Sequence, residues 1–319
     1  MKICILYGGV SSEREVSLNT GKSIYDAICN DYDIVMHDWD GNYESMYNVV
    51  KEVDLVFIAL HGGDGEDGTI QKYLESKNIK FTGSSSEASE RAMDKEAAKL
   101  LCRINGIPTP LWLMSSNIFS VEKITGIPLS SKELILARKN EFSQVSDKFK
   151  SYVIKPSNEG SSFGISIIKK AIDFNTYNEA IRIALRRSER ILIEEYIDGK
   201  ELTVGILNDK VLPIVEIMPR GDYYDYKSKY TKFQSDYVVP ANIDKKTKEL
   251  LSAYSLKIHK LIGCGAYSRV DFRLSKEGEI YFLEINTLPG FTDTSLFPKA
   301  AKAYGLSYRE LIKKIIGIA

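Results

Sequence analysis

The stretch that most limits how this chain can fold is Ser268–Asn286, SRVDFRLSKEGEIYFLEIN. Two short runs of alternating apolar and polar residues flank Lys276-Glu277-Gly278-Glu279, the pattern of a β-hairpin. With residues 276–279 as the loop, Asp271 lies opposite Glu284 and Arg269 opposite Asn286, all four on one face of the ladder. Carboxylates brought this close repel each other unless a cation sits between them. Asp, Glu and Asn without a neighbouring Cys or His suit a hard ion, above all Mg²⁺ carrying a nucleotide phosphate. The same residues also describe a solvated hairpin face with a surface ion pair, and the hairpin by itself leaves both readings open.

The rest of the chain sets the frame for that hairpin. At 319 residues it is long for one core and suggests two or three domains. Lys and Arg (43) balance Asp and Glu (43), so no global field draws it to nucleic acid or an anionic membrane. Cys4, Cys29, Cys102 and Cys264 are scattered, and no signal peptide opens the sequence. They read as reduced thiols of a cytoplasmic protein. The longest apolar runs, such as Leu55–Leu60, are too short to span a bilayer.

Lys2–Tyr7 and Asp54–Leu60 read as buried parallel strands ending in Gly8-Gly9 and His61-Gly62-Gly63. Such strand ends are where open α/β sheets bind ligands. The helix after Gly9 is expected to begin with a capping box, Ser12 at the N-cap and Glu15 at the third position. Asp94–Asn105 is helical, with Gly106 as its C-terminal cap. Ser151–Pro156 and Ile165–Ile168 are strands around a loop of small residues, and a helix fits 175–187. Ile191–Tyr196 and Glu201–Leu207 are strands joined by Asp198-Gly199. Gly221–Pro240 reads as a long loop, of a length that is usually either functional or disordered. Helices follow at 250–261 and near 307–316, whereas 111–150 shows no clear period.

Several motifs carry possible chemistry. In Lys155–Gly164, KPSNEGSSFG, small residues let backbone N–H groups close over anionic oxygens while Lys155 adds a point charge. An ordinary hairpin loop would look the same. Lys95 stands at a helix start, where its charge is mildly unfavourable without an anionic partner. Glu194 and Glu201 could accept from an adenine amino group or ribose hydroxyls, or be solvated. Glu15 is explained by the capping box, His61 by a turn, and Lys229 and Tyr230 by solvation or by closure of a lid.

Read in order, GGVSSEREVS (8–17), HGGDGEDGTIQ (61–71), MDK (93–95), KPSNEGSSFG (155–164), IEEYIDGKELTV (193–204), YDYKSKY (224–230), SRVDF (268–272) and EINTLPGFTDTSL (284–296) closely resemble the D-alanine–D-alanine ligase family of ATP-grasp enzymes. The resemblance implies an α/β (α+β) chain of three domains. These are an N-terminal parallel-sheet domain (1–92), a central ATP-grasp part with the phosphate loop (93–190), and a C-terminal part with the metal site and lid (191–319). ATP would lie between two antiparallel sheets. Lys95, Lys155, Glu159, Gly160 and Ser162 would meet its phosphates. Glu194, Tyr196, Ile197 and Glu201 would hold its adenine and ribose ends. Asp271, Glu284 and Asn286 would bind two Mg²⁺, with Mn²⁺ as an alternative ion. Glu15 matches the acid that receives the first substrate's ammonium, and Ser161 and Tyr230 the hydroxyl residues joined to it. His61 would lie beside the first substrate. Arg269 and the Gly290 amide match the oxyanion stabilisers, and Lys229, Ser295 and Leu296 the second substrate's carboxylate site.

The implied activity is ATP-dependent joining of two D-alanine molecules through a D-alanyl phosphate, for peptidoglycan precursors, by a cytoplasmic homodimer. The Tyr230 hydroxyl argues against D-lactate as acceptor, while D-serine stays open because pockets reject one added hydroxyl weakly. The alternatives are another ATP-grasp carboxylate–amine ligase, a catalytically silent nucleotide-binding protein, and a dinucleotide-dependent oxidoreductase. The last lacks the G-x-G-x-x-G pattern.

Overall fold

A computed structural model describes residues 1–116, 131–160, 164–169, 172–219, 235–292 and 295–319. Strand β1 (Lys2–Gly8) lies between β2 (Asp33–Trp39) and β3 (Leu55–Ile58), all parallel. Its side chains alternate between two cores: Ile3 and Ile5 meet Ile24 and Ile28 of helix α1 (Arg14–Ile28), while Cys4 and Leu6 join Trp39, Met46 and Ile58. A strand covered on both faces needs apolar residues at successive positions, which is why the sequence runs unbroken there. Gly8 and Gly9 then take positive φ (82° and 86°), and a Cβ at Gly8 would fall 1.9 Å from Asp38 Oδ1. That turn folds the chain back toward His61.

The expected capping box does not form. Helix α1 has Glu13 at its N-cap with no side-chain cap, and Ser12 is exposed. Ser11 takes over locally, its hydroxyl accepting from Glu13 N–H (3.1 Å) and donating to His61 O (2.5 Å). A capping box does open the last helix (Tyr308–Ile316), between Ser307 and Glu310.

Two antiparallel sheets make up the remainder. The smaller has the order β4 (Trp112–Ser116), β7 (Arg190–Glu195), β5 (Tyr152–Pro156), β6 (Ser166–Ile168). Tyr152, Ile154, Ile191 and Ile193 pack on Tyr177, Ile181 and Ala184 of the helix Phe174–Leu185. The larger sheet runs β11 (Ser235–Val238), β10 (Val215–Pro219), β8 (Gly199–Leu207), β12 (Tyr267–Ser275), β13 (Ile280–Asn286), with β9 (Lys210–Val211) on β8. Leu202, Val204, Val270, Phe272 and Phe282 face the helix Lys245–Ile262 and Ala98 and Cys102 of Lys95–Ile104. Sequence segments 93–190 and 191–319 therefore do not each own one sheet: β7, ending at Glu195, completes the smaller sheet, and Lys95–Ile104 packs on the larger. The mixed α/β class is as expected. Ser235–Val238, expected within a loop, is an edge strand on β10, and Leu296–Ala303 is a helix that the sequence did not announce.

The chain crosses from one sheet to the other at Asp198-Gly199. Gly199 has φ 148°, and a Cβ on it would stand 2.0 Å from Leu274 O. Gly199→Ala is therefore expected to destabilise the fold by roughly 3 kcal/mol, combining backbone strain and overpacking of about 1–3 kcal/mol each. Equilibrium chemical unfolding checks this, and an unchanged midpoint would show that the crossover relaxes freely.

Candidate active site

The hairpin pairs as the alternation requires: Arg269 with Asn286 and Asp271 with Glu284. It reaches that register by two compensating departures. Ser275 N–H binds Glu279 O at 2.8 Å, so the loop is only Lys276, Glu277 and Gly278, the last at φ 89°. Phe272 consequently faces Phe282, and a bulge at Leu283 restores the pairing of Asp271 with Glu284. The bulge lets Phe282 and Ile285 both enter the core while Glu284 and Asn286 turn the other way.

These side chains form one wall of a cavity between the two antiparallel sheets. Arg269, Asp271, Arg273, Glu284 and Asn286 come from the larger sheet; Val153, Lys155, Ile167 and Glu194 come from or beside the smaller. Glu13, His61, Glu66, Gly290, Thr292, Ser295 and Leu296 close one end. The Arg269 guanidinium donates to both oxygens of Asp271 (3.0 and 2.9 Å), and Thr203, its neighbour on β8, donates to the same carboxylate at 2.5 Å.

The lysines are held by backbone and by acid. Asp94 caps the helix that Lys95 opens, and Lys95 N–H donates to Ser157 O. Lys95 Nζ donates to Glu159 O at 2.6 Å and lies 3.5 Å from Glu284. Lys155 Nζ lies 2.5 Å from Glu194, whose other oxygen meets Lys99 Nζ at 2.8 Å. Burial pushes the Glu194 carboxyl up, but Lys155 and Lys99 outweigh it and hold it below the ordinary range. Lys99, wholly buried, is pushed down to about 8 by desolvation, against the pull of Glu194. Burial raises the Glu159 carboxyl, with Arg187 and Lys95 opposing.

At the closed end, His61 binds Thr20 Oγ1 through Nε2 (3.0 Å) and faces Glu66 through Nδ1 (3.4 Å). A Cβ on Gly160 would sit 3.3 Å from Glu66 and 3.5 Å from Glu13, so the backbone at Gly160 arrives beside two carboxylates. Ser295 Oγ accepts from Thr292 N–H at 3.1 Å and lies within 2.8 Å of a Cβ built on Gly290.

Comparison with known proteins matches the same outline. The family model described as D-ala D-ala ligase C-terminus fits residues 121–317, and that described as D-ala D-ala ligase N-terminus fits 40–84. A D-alanine–D-alanine ligase of Aquifex aeolicus is 39% identical over 317 residues, spanning 99% of this chain and 100% of the relative. The chain belongs to the D-alanine–D-alanine ligase family. Another family ligase, from Carboxydothermus hydrogenoformans, is 38% identical over 99% of this chain and 97% of its own length. Among solved structures, the Bacillus anthracis D-alanine–D-alanine ligase complexed with ATP superposes with a TM-score of 0.80 at 31% identity, covering 100% of this chain and 97% of that one. The VanG D-Ala:D-Ser ligase of Enterococcus faecalis gives 0.79 at 29% identity, covering 99% and 98%.

Set on this ligase-family frame, most expected site residues converge: His61, Lys95, Lys155, Gly160, Glu194, Tyr196, Ile197, Glu201, Arg269, Asp271, Glu284, Asn286, Gly290, Ser295 and Leu296 all line the cavity. Glu159 contributes its carbonyl to Lys95. Ser161, Ser162, Lys229 and Tyr230 lie outside the described residues. Glu15 is the correction. It is exposed on α1 and absent from the cavity wall, whereas Glu13, 3% exposed, lines it. Because α1 starts one residue after Glu13, that acid belongs to the incoming turn and points inward, and Glu15 falls on the solvent face.

Residues the sequence reading passed over are Glu13, Glu66, Lys99, Thr203 and Arg273. Two left a signal. Lys99 recurs four residues after Lys95, on the face that holds Ala98 and Cys102. Arg273 continues the alternation of Arg269 and Asp271.

Proposed function

We propose that this chain joins two D-alanine molecules into D-alanyl-D-alanine at the expense of ATP, as its relatives are named to do. The observation that carries the reading is one cavity into which the two sheets bring both charges: on one wall Lys95 lies 3.5 Å from Glu284 and Arg269 grips Asp271, and from the other wall comes Lys155, held by Glu194. The first D-alanine carboxylate attacks the γ-phosphorus of ATP, releasing ADP and leaving an acyl phosphate. Lys95 and Lys155 hold the phosphates by charge, and Glu13 takes the ammonium of that substrate. The neutral amine of the second D-alanine then attacks the acyl carbon. Arg269 and the Gly290 N–H meet the developing oxyanion, and phosphate leaves as the peptide bond forms. Ser295 and the Leu296 amide, at a helix start, suit the second carboxylate. Acyl phosphates hydrolyse, so water must be kept out, the role expected of the loop Asp222–Val239; its residues 222–234 lie outside the described residues, and 235–238 belong to strand β11.

Asp271, Glu284 and Asn286 suit a pair of Mg²⁺ ions. All offer hard oxygen donors, and both carboxylates already attract cationic side chains, Arg269 and Lys95. Asn286 adds an amide oxygen to the two carboxylates, and that oxygen also accepts from Leu288 N–H at 2.8 Å. Bound there, the ions would offset charge on the transferring phosphoryl group. Glu284→Gln is expected to raise the Mg²⁺ concentration for half-maximal activity by about tenfold, at the low end of effects on altered metal sites. An unchanged Mg²⁺ titration contradicts the assignment.

No helix among the described residues is long and apolar enough to cross a membrane. We assign the protein to peptidoglycan precursor synthesis in the cytoplasm as a three-domain homodimer, on the family resemblance alone. The deciding experiment is incubation with ATP, Mg²⁺ and D-alanine, D-serine or D-lactate, followed by product mass and phosphate release. D-alanyl-D-alanine with one phosphate per dipeptide is expected. A product containing D-serine as the preferred second residue, or no ATP-dependent product, overturns the reading.

A further inference from the structure

One arginine holds the strand crossover that forms the far end of the cavity. Arg273 donates from Nε to Ile197 O (3.0 Å), from Nη2 to Gly199 O (3.0 Å) and from Nη1 to Glu201 Oε2 (3.3 Å). It also lies over the Tyr196 ring, 5.7 Å from the centroid. Arg273 and Glu201 are direct cross-strand partners on β12 and β8, whereas Tyr196 and Ile197 follow β7 of the opposite sheet. A single planar fork thus ties the last residues of the smaller sheet to an acid of the larger one. Only a guanidinium has the donors and the span for three such contacts; an ammonium could satisfy the acid or one carbonyl edge. The side chain is largely buried and faces the cavity, so little water competes with these bonds.

We propose that Arg273 is a positioning residue for the nucleoside end of the substrate nucleotide. By gripping the carbonyls of Ile197 and Gly199 together with the Glu201 carboxylate, it sets Glu201 where that acid reads ribose hydroxyls. It thereby makes the enzyme distinguish ribonucleoside from 2′-deoxyribonucleoside triphosphates. The inference rests on the assignment of ATP to this cavity with Glu201 at the ribose. Its distinguishing consequence is selective. A side chain that merely supplied positive charge to the phosphates would serve ATP and 2′-deoxyATP alike, since the two differ only at the sugar. A side chain that orients Glu201 serves ATP more, because the 2′-deoxy sugar has one fewer hydroxyl for that carboxylate to accept from.

The test is steady-state kinetics with saturating D-alanine and Mg²⁺, ATP or 2′-deoxyATP as the varied substrate, for wild type, Arg273→Met and Arg273→Lys. Wild type is expected to prefer ATP in kcat/KM by roughly tenfold or more, the scale of one hydrogen bond to a charged group. In Arg273→Met the KM for ATP should rise more than kcat falls, and the preference should shrink to within about threefold, near the size of a weak neutral contact. Arg273→Lys should land between the two. If Arg273→Met does not fold, the lysine variant is read in the same way: a preference reduced several-fold supports the proposal. A full wild-type preference in the variant that folds overturns it, as does a wild-type enzyme that does not discriminate. Failure of wild type to make any ATP-dependent dipeptide is a separate result, and it would sink the functional reading first.

Discussion

Replacing Arg269 with alanine is expected to lower turnover by roughly 10²–10³, the scale of losing one oxyanion donor. The expectation follows from where the guanidinium sits. It lies on the cavity face of β12, bound through two nitrogens to Asp271, which Thr203 holds from the next strand. Held this way, Arg269 needs little reorganisation to meet charge that develops only in the transition state, which is the condition for a large effect on kcat. The loss should therefore appear in kcat more than in KM for D-alanine. Arg269→Lys should recover only part of it, because an ammonium cannot keep both bonds to Asp271 and still point a second donor into the cavity. Product formation by mass and phosphate release, alongside a thermal unfolding control, measures the effect. A near-normal rate in a folded Arg269→Ala protein refutes the assigned role.

Glu13→Gln should reduce kcat/KM for the first D-alanine by roughly 10- to 100-fold, since a hydrogen bond from a charged donor to a charged acceptor contributes about 1.5–3 kcal/mol. Glu15→Gln should stay within twofold of wild type, in keeping with surface changes of about 0.5 kcal/mol or less. The pair separates two readings of one motif. In GGVSSEREVS both acids precede the apolar run; the family resemblance gives the ammonium to Glu15, an acid that a capping box would explain without any substrate. The folded chain instead buries Glu13 beside His61, Glu66 and the backbone of Gly160, where the ammonium of a small amino acid has two carboxylates to meet. Substitution leaves an amide of nearly the same size, so a loss reports charge rather than packing. Varying D-alanine at saturating ATP resolves the first-substrate constant. Damage confined to Glu15→Gln would reverse the assignment.

Much of this site can be read along the chain. In Arg269–Arg273 and Ile280–Asn286 the period of two brings polar groups to one face, and the pairs Arg269–Asn286 and Asp271–Glu284 are those observed. The route differs, because a three-residue loop and a bulge at Leu283 cancel. Ile285 follows Phe282 by three positions, and only a bulge can bury both. The strands Tyr152–Pro156 and Ser166–Ile168, the cap at Asp94 and Gly106 after the helix it opens are likewise local matters. Less legible was 111–150, where Trp112–Ser116 forms an edge strand and Ser131–Lys148 a helix of weak amphipathicity.

By itself, then, the order of residues determined which side chains share a strand face, where helices begin and stop around Asp94 and Gly106, and which eight motifs succeed one another. Those are short-range properties, governed by φ/ψ preferences and the pleat. Only the folded chain decided that Glu195 and Glu201, six positions apart, stand on different sheets, that Glu194 is shared by Lys99 and Lys155, and that Glu13 rather than Glu15 enters the cavity. Each of these depends on surfaces meeting from distant parts of the chain, and a local period carries no information about what a side chain will face across such a gap.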